Sequence, residues 1–388
     1  MNKSAILFSL LLYCAEAIAQ TPLVSIPFER YGDHLFIKVS VDDSEPLDMI
    51  FDTGSGITVV DQEVADQLEL VKHRIVLNHD LVYGSIIKHN TIKVGGFLIE
   101  KNIKVYSTDL DHLEISLGRE FDGILGYDLL HHHSIRIDYD KHIFEIFEHG
   151  DHPKMGDPIP FKLTNSIPVI DGSIVLNNDE PHPGSFFIMT GAGTTMDFNS
   201  PYAIEYDVIH KTGEHYSYWV KSIADNETKH YEGYVKDFTF GDQSIKNVPI
   251  GISMANQGAQ AHKSVSGILG NKILSRYNII IDLPSKKLYL EQNESFNDPY
   301  VVNCSGIDVQ LSPDKQKVLI HHVFENSPAF DAGIEINDEL VSINGQSMSD
   351  INLQDVIHTL KQDGQSVDLV VKRGSDEKKI TLKLKSLI

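Results

Sequence analysis

Cysteine is nearly absent from this chain of 388 residues; it has two, Cys14 and Cys304. A disulfide-stapled scaffold is therefore excluded, and the fold must rest on its core. Positive charge is also scarce. Lys and Arg number 33 against 55 Asp and Glu, for a net charge of −22. With no dense Lys/Arg cluster, nucleic acid and anionic membrane surfaces are disfavoured as partners. Long apolar runs are missing too. The longest, near Ala5 to Leu12, is too short to cross a bilayer, so no transmembrane segment is expected. There is no glycine loop with its phosphate-binding lysine, and no Ser-His-Asp pattern that sequence can reveal. Neither cofactor nor metal is expected.

That short apolar run has a different use. Lys3 precedes it, and Ala17-Ile18-Ala19 offers a small-x-small cleavage site before Gln20. Residues 1–19 read as a secretory signal peptide, with an ordinary N-terminal helix as the alternative. The mature chain is then exported, periplasmic or extracellular, and keeps only Cys304. Lipidation of Cys14 is set aside because bulky Tyr13 precedes it.

One stretch organises the rest. Ile50-Phe51-Asp52-Thr53-Gly54-Ser55-Gly56 carries an apolar run into a glycine turn that holds a single carboxylate. Glycine lets a second backbone come close to such a turn. The arrangement returns at Ile188-Met189-Thr190-Gly191-Ala192-Gly193, with Met189 where the first copy has Asp52. Other elements return in the same order. Ile159-Pro160-Phe161 echoes Ile26-Pro27-Phe28, and Gly267-Ile268-Leu269-Gly270 echoes Gly123-Ile124-Leu125-Gly126. Ile279-Ile280-Ile281-Asp282 echoes Ile135-Arg136-Ile137-Asp138. The separations grow slowly along the chain, as small loop insertions would make them. Two copies of one β-rich unit follow, over 23–150 and 156–295. Alternation in Phe36 to Val41 predicts a half-buried strand, and Asp61 to Leu70 a short helix.

The tail, 298–388, has its own pattern. Ile307 to Leu311, Val318 to Ile320 and Glu339 to Ile343 read as strands, the last running into an Asn344-Gly345 turn. Leu353, Val356, Ile357 and Leu360 fall at helical spacing, with Asn352 as N-cap.

The repeated part resembles the aspartic proteases, most nearly the retropepsin-like branch of bacterial exported proteins. Asp52-Thr53-Gly54-Ser55 and the later Ile124-Leu125-Gly126 carry the resemblance, and both recur. It implies a mainly β, two-lobed acid-protease-like β-barrel fold with internal duplication, each lobe supplying one Asp to a shared cleft. Asp52 would be catalytic. Thr53, Gly54, Ser55, Thr190 and Gly191 would support it, and Tyr83-Gly84 would be the tip of a covering flap. The tail resembles a PDZ domain, an α+β module, on Ser327-Pro328-Ala329, Ala332-Gly333 and Val341 to Gly345. That implies a peptide groove along Gly306 and Ile307, beside Leu353 and Ile357. Its carboxylate loop would be Cys304 to Ile307. The ligand is a peptide, a C-terminal one being a candidate.

Two carboxylates in one cleft share a proton, so the pair can act as base toward water and acid toward the peptide. Met189 removes one of them. Asp197 lies nearby but aligns with Val60, eight residues past Asp52, and should not reach the same point. Three readings stay open. The chain is a peptidase homologue that binds peptides with weak or lost activity. Or Asp52 still activates water as an aspartic-type endopeptidase with an acid from elsewhere. Or the cleft is a relic and the PDZ domain is the working part, a non-catalytic peptide-binding scaffold. His131-His132-His133 reads as a solvated loop rather than a metal site. Asp122, Asp128, Asp138 and Asp282 read as turn residues.

Overall fold

A computed structural model describes residues 20–70, 72–76, 83–126, 131–221, 227–257 and 259–388. The expected signal peptide and Tyr127 to Leu130 lie outside the described residues. The first lobe contributes β1 (Val24–Pro27), β2 (Glu29–Tyr31), β3 (His34–Val41), β4 (Leu47–Phe51), β5 (Val59–Asp61) and α1 (Gln62–Gln67). It continues with β6 (Lys72–Val76), β7 (Tyr83–Val94), β8 (Phe97–Thr108), α2 (Asp111–Leu117), β9 (Gly123–Leu125), β10 (His133–Asp138) and β11 (Ile143–Glu148). The second lobe runs β12 (Ile159–Pro160), β13 (Lys162–Thr164), β14 (Ile167–Val175), β15 (Pro181–Met189), β16 (Met196–Phe198), α3 (Ser200–Glu205) and α4 (Val208–Lys211). Then come β17 (Tyr216–Lys221), β18 (Glu227–Phe240), β19 (Gln243–Ser253), β20 (Gly267–Gly270), α5 (Asn271–Leu274), β21 (Tyr277–Asp282) and β22 (Lys287–Gln292).

The two lobes repeat one strand order. The first is β2-β3-β4-β9-β5-β8-β7-β6, closed into a six-strand ring by β3 on β7. The second is β13-β14-β15-β20-β16-β19-β18-β17, closed by β14 on β18. In each ring the strand that ends at the glycine turn pairs in parallel with the strand of the apolar-apolar-Gly element, β4 with β9 and β15 with β20. In this ring β9 buries alternate positions, but β3 buries Leu35, Phe36 and Ile37 in a row and β4 buries Met49, Ile50 and Phe51. Phe36 supports a second small cluster with Leu110 and Phe121 under α2.

A six-stranded sheet joins the lobes, in the order β1-β11-β10-β21-β22-β12. The seam is β10 on β21, where Ile135 faces Ile281 and Ile137 faces Ile279. One hydrophobic core therefore runs through both lobes, from Phe51 and Phe144 to Ile188 and Tyr277. The tail has a separate core around Cys304, Ile320, Leu340 and Val356. Its sheet runs β23 (Ile307–Leu311), β24 (Val318–Val323), β25 (Glu339–Ile343), β27 (Ser366–Arg373) and β28 (Asp376–Lys383), with β26 (Gln346–Ser347) on β25. The helices α6 (Pro328–Asp331) and α7 (Leu353–Thr359) complete it. Asn352 caps α7, its Oδ1 accepting the Asp355 N–H at 2.9 Å. Among the described residues no helix is long and apolar enough to cross a membrane.

Tyr83 and Gly84 are not a hairpin tip. They pair with Val76 and Ile75 inside the β6–β7 ladder.

Candidate active site

β4 ends at Phe51, and the next residue enters the turn. The Asp52 N–H donates to the Leu125 carbonyl at 3.1 Å, and the Ser55 N–H to the Asp52 carbonyl at 3.2 Å. The β9 element closes over this turn. A Cβ on Gly126 would stand 2.1 Å from the Ile57 carbonyl oxygen, so only glycine fits there.

The two turns meet back to back through their threonines. Thr53 Oγ1 donates to the Ile188 carbonyl at 2.7 Å and accepts the Thr190 N–H at 3.1 Å. Thr190 Oγ1 donates to the Phe51 carbonyl at 3.0 Å and accepts the Thr53 N–H at 3.0 Å. Both side chains are buried, and the four bonds cross between lobes as two equivalent pairs. The bonds satisfy the Thr53 and Thr190 N–H groups and give the Phe51 and Ile188 carbonyls a donor across the junction.

The side chains one position earlier then face each other's glycines. Asp52 Oδ1 accepts the Gly54 N–H at 2.7 Å and the Gly191 N–H at 2.9 Å. A Cβ on Gly191 would meet Asp52 Cγ at 2.3 Å; a Cβ on Gly54 would meet Met189 Cε at 2.2 Å. Asp52 and Met189 thus occupy equivalent places on the two turns. Burial raises the Asp52 carboxyl above the ordinary aspartate range, while the Gly54 and Gly191 N–H groups oppose that rise. A carboxyl so placed is a stronger base than a free aspartate. Ser55 acts within its own turn, its Oγ donating to the Ile57 carbonyl at 2.6 Å.

Asp197 is elsewhere. It lies on β16 and lines a cavity of about 270 Å³ with Tyr218, Glu232, Lys272 and, from the tail, Asp308 and Lys361. Sequence reasoning missed His34. This histidine begins β3 and hydrogen-bonds the Gly191 backbone; burial, first, lowers its pKa. No pattern marks it, because its partner belongs to the other lobe.

Of the acids read as turn residues, Asp138 and Asp282 serve turns, Asp138 Oδ1 accepting the Lys141 N–H at 3.0 Å. Asp282 Oδ1 accepts the Ser285 N–H at 3.3 Å. Asp122 instead makes a long-range bond, its Oδ2 accepting the Asp48 N–H at 2.6 Å. Asp128 is not among the described residues. His131 and His132 are exposed in the turn before β10. With Glu100 they bring three ligand atoms within 4.8 Å of one another.

In the tail, Gly306 adopts φ +79°, with its backbone against Ser327. The loop departs from the expected carboxylate site. Asn303 Oδ1 accepts the N–H groups of Ser305 at 3.1 Å and Gly306 at 2.8 Å, and Ser305 Oγ accepts that of Ile307 at 3.1 Å.

Comparison with known proteins agrees with both halves of this architecture. Residues 37–129 match the family profile described as aspartyl protease. Residues 305–384 match that of the PDZ domain. The chain thus carries an aspartyl-protease-type domain followed by a PDZ domain. It is similar to the carboxy-terminal processing protease CtpB of Bacillus subtilis (strain 168), 28% identical over 110 residues, which is 28% of this chain and 22% of that protein. A probable CtpA-like serine protease of Staphylococcus haemolyticus (strain JCSC1435) is 25% identical over 142 residues, 36% of this chain and 29% of that one. The chain thus spans less than a third of the length of these relatives. Among solved structures, an aspartic proteinase from Irpex lacteus superposes with a TM-score of 0.44 at 14% identity, covering 71% of this chain and 98% of that chain.

Proposed function

We propose that this chain holds an extended peptide in the cleft between its two lobes and turns it over weakly, if at all, because only one of the two acid positions carries an acid. The observation behind this reading is the equivalence of the two turns, with Met189 against Gly54 as Asp52 is against Gly191. Asp52, ionised, takes a proton from a bound water. The leaving amine then needs a proton, and a thioether has none to give. Removing a positioned acid costs about 100- to 10,000-fold in rate. Met189 is accordingly read as the replacement of a second catalytic Asp, and the matched strand orders as an internal duplication. The leader-like segment before Gln20 supports an exported protein, periplasmic or extracellular.

The test is a mixed peptide library incubated with the protein at acid and neutral pH. Cleavage by the native chain that disappears in Asp52→Ala establishes the weak endopeptidase. No cleavage by the native chain, with cleavage gained in Met189→Asp, establishes the non-catalytic scaffold. Cleavage that survives Asp52→Ala defeats both.

A further inference from the structure

We propose that the peptide groove of the PDZ domain is an internal docking surface held shut by the first lobe, and that the peptide able to open it adds as an internal strand along β23 without help from a C-terminal carboxylate.

The groove lies between β23, which is an edge strand, and α7. An open edge offers unpaired N–H and C=O groups to an incoming strand. Here the first lobe's α2 packs against β23 and is fastened at both ends. Near its start, Lys315, from the turn after β23, pairs with Asp111 at 2.8 Å and with Glu114. At its end, Gln354 Nε2 of α7 donates to the Leu117 carbonyl at 3.1 Å. The cap residue Gly118, at φ +77°, presses its backbone onto Leu353; a Cβ there would stand 2.4 Å from Leu353 Cβ. The turn at Gly32 closes on Gln354 as well, leaving 2.8 Å to its amide oxygen from a Cβ. Leu353 is one of the groove residues that the resemblance assigns to ligand, and the first lobe already covers it.

The carboxylate loop is filled from within. The N–H groups of Ser305, Gly306 and Ile307 are the donors a terminal carboxylate would need. Asn303 Oδ1 and Ser305 Oγ take all three. Asn303 and Ser305 are buried, so a carboxylate would have to displace satisfied bonds in a dry site.

The clasp on β23 is electrostatic. Lys315 is the one basic residue lining a cavity of about 410 Å³ whose other charged residues are all acids. Whatever binds the groove must first separate the PDZ domain from α2. Its apparent affinity is lowered by the fraction of closed molecules. By linkage, a bound peptide loosens that interface by the same factor.

The experiment uses the full chain in three forms: native, Lys315→Glu, and Lys315→Glu with Asp111→Lys. Each is immobilised and offered random decapeptides as free acids and as C-terminal amides. Hydrogen exchange of residues 307–311 is followed alongside. Lys315→Glu should speed exchange and raise retention about tenfold or more, a fold-change set by the population of open molecules. Acid and amide peptides should be retained alike, and the charge swap should return both readouts toward native. The proposal is overturned by native retention equal to that of Lys315→Glu, by unchanged exchange, by retention of free acids alone, or by faster exchange with no added retention. Peptides held in the catalytic cleft would be retained equally by all three proteins, so failure here is separable from failure of the proposed cleft function.

Discussion

The two glycine turns share a backbone and differ in two side chains, Met189 for Asp52 and Ala192 for Ser55. Thr53 and Thr190 exchange the same four bonds, and each leading side chain lies on the other turn's glycine. Yet one side chain is a buried carboxyl bonded to two N–H groups and the other is a thioether. The scaffold that positions an acid therefore does not depend on the acid. The threonine brace and the glycine contacts hold the geometry, while the leading position accepts either a carboxyl or a thioether.

The comparison is broken most sharply by making the turns alike. Met189→Asp should raise library cleavage about 100- to 10,000-fold over the native chain, with a proton now shared across the cleft. Failure to gain would mean the turns are not equivalent in solution. Next in size, Thr53→Ala and Thr190→Ala should each destabilise the fold by about 1–3 kcal/mol, since each strands buried bonding groups on both lobes. Chemical denaturation should give similar losses for both and a double mutant short of their sum, because the two hydroxyls share one network. Unequal losses would show a brace that is symmetric only in form.

A smaller difference separates the glycines. Gly191→Ala would thrust a methyl into Asp52 Cγ, which two hydrogen bonds hold in place. Gly54→Ala would meet chiefly the unbranched Met189 side chain, at Cε and Cγ, with Asp52 Oδ1 at 3.1 Å. The first should cost more, by on the order of 1 kcal/mol. The smallest effect concerns charge. The raised Asp52 carboxyl favours the folded state only while protonated; that contribution is present at acid pH and lost as pH rises through its folded value. Asp52→Asn should therefore raise Tm at neutral pH, with the gap closing on acidification below the ordinary aspartate range. Met189→Leu should show no such pH dependence.

Most of this site was legible because it is local. The apolar run, the carboxylate and the glycine turn are consecutive, and the second copy exposes the pattern by repetition. Thr53 and Thr190 meet through four reciprocal bonds between the lobes. Tyr83-Gly84 failed as a flap tip because a tyrosine and a glycine are as compatible with a ladder as with a turn; the pairing with β6 decided it. Asn303, Lys315 and Gln354 were invisible for another reason. Their partners are set by loop closure or by docking across the chain, with 201 residues between Lys315 and Glu114 and 237 between Gln354 and Leu117. No periodicity encodes such a meeting.

The sheet that joins the lobes has a mechanical meaning. Strands of both halves are hydrogen-bonded edge to edge at β10 and β21, and Tyr139 reaches across to Asn271 and Asn278. The covalent link between the halves, near Gly150 to Gly156, is thus not what keeps them together. A protease nick in that loop should leave a complex of two fragments that elutes as one particle. Motion of one lobe against the other must twist this shared floor, which behaves as a leaf spring in place of a hinge.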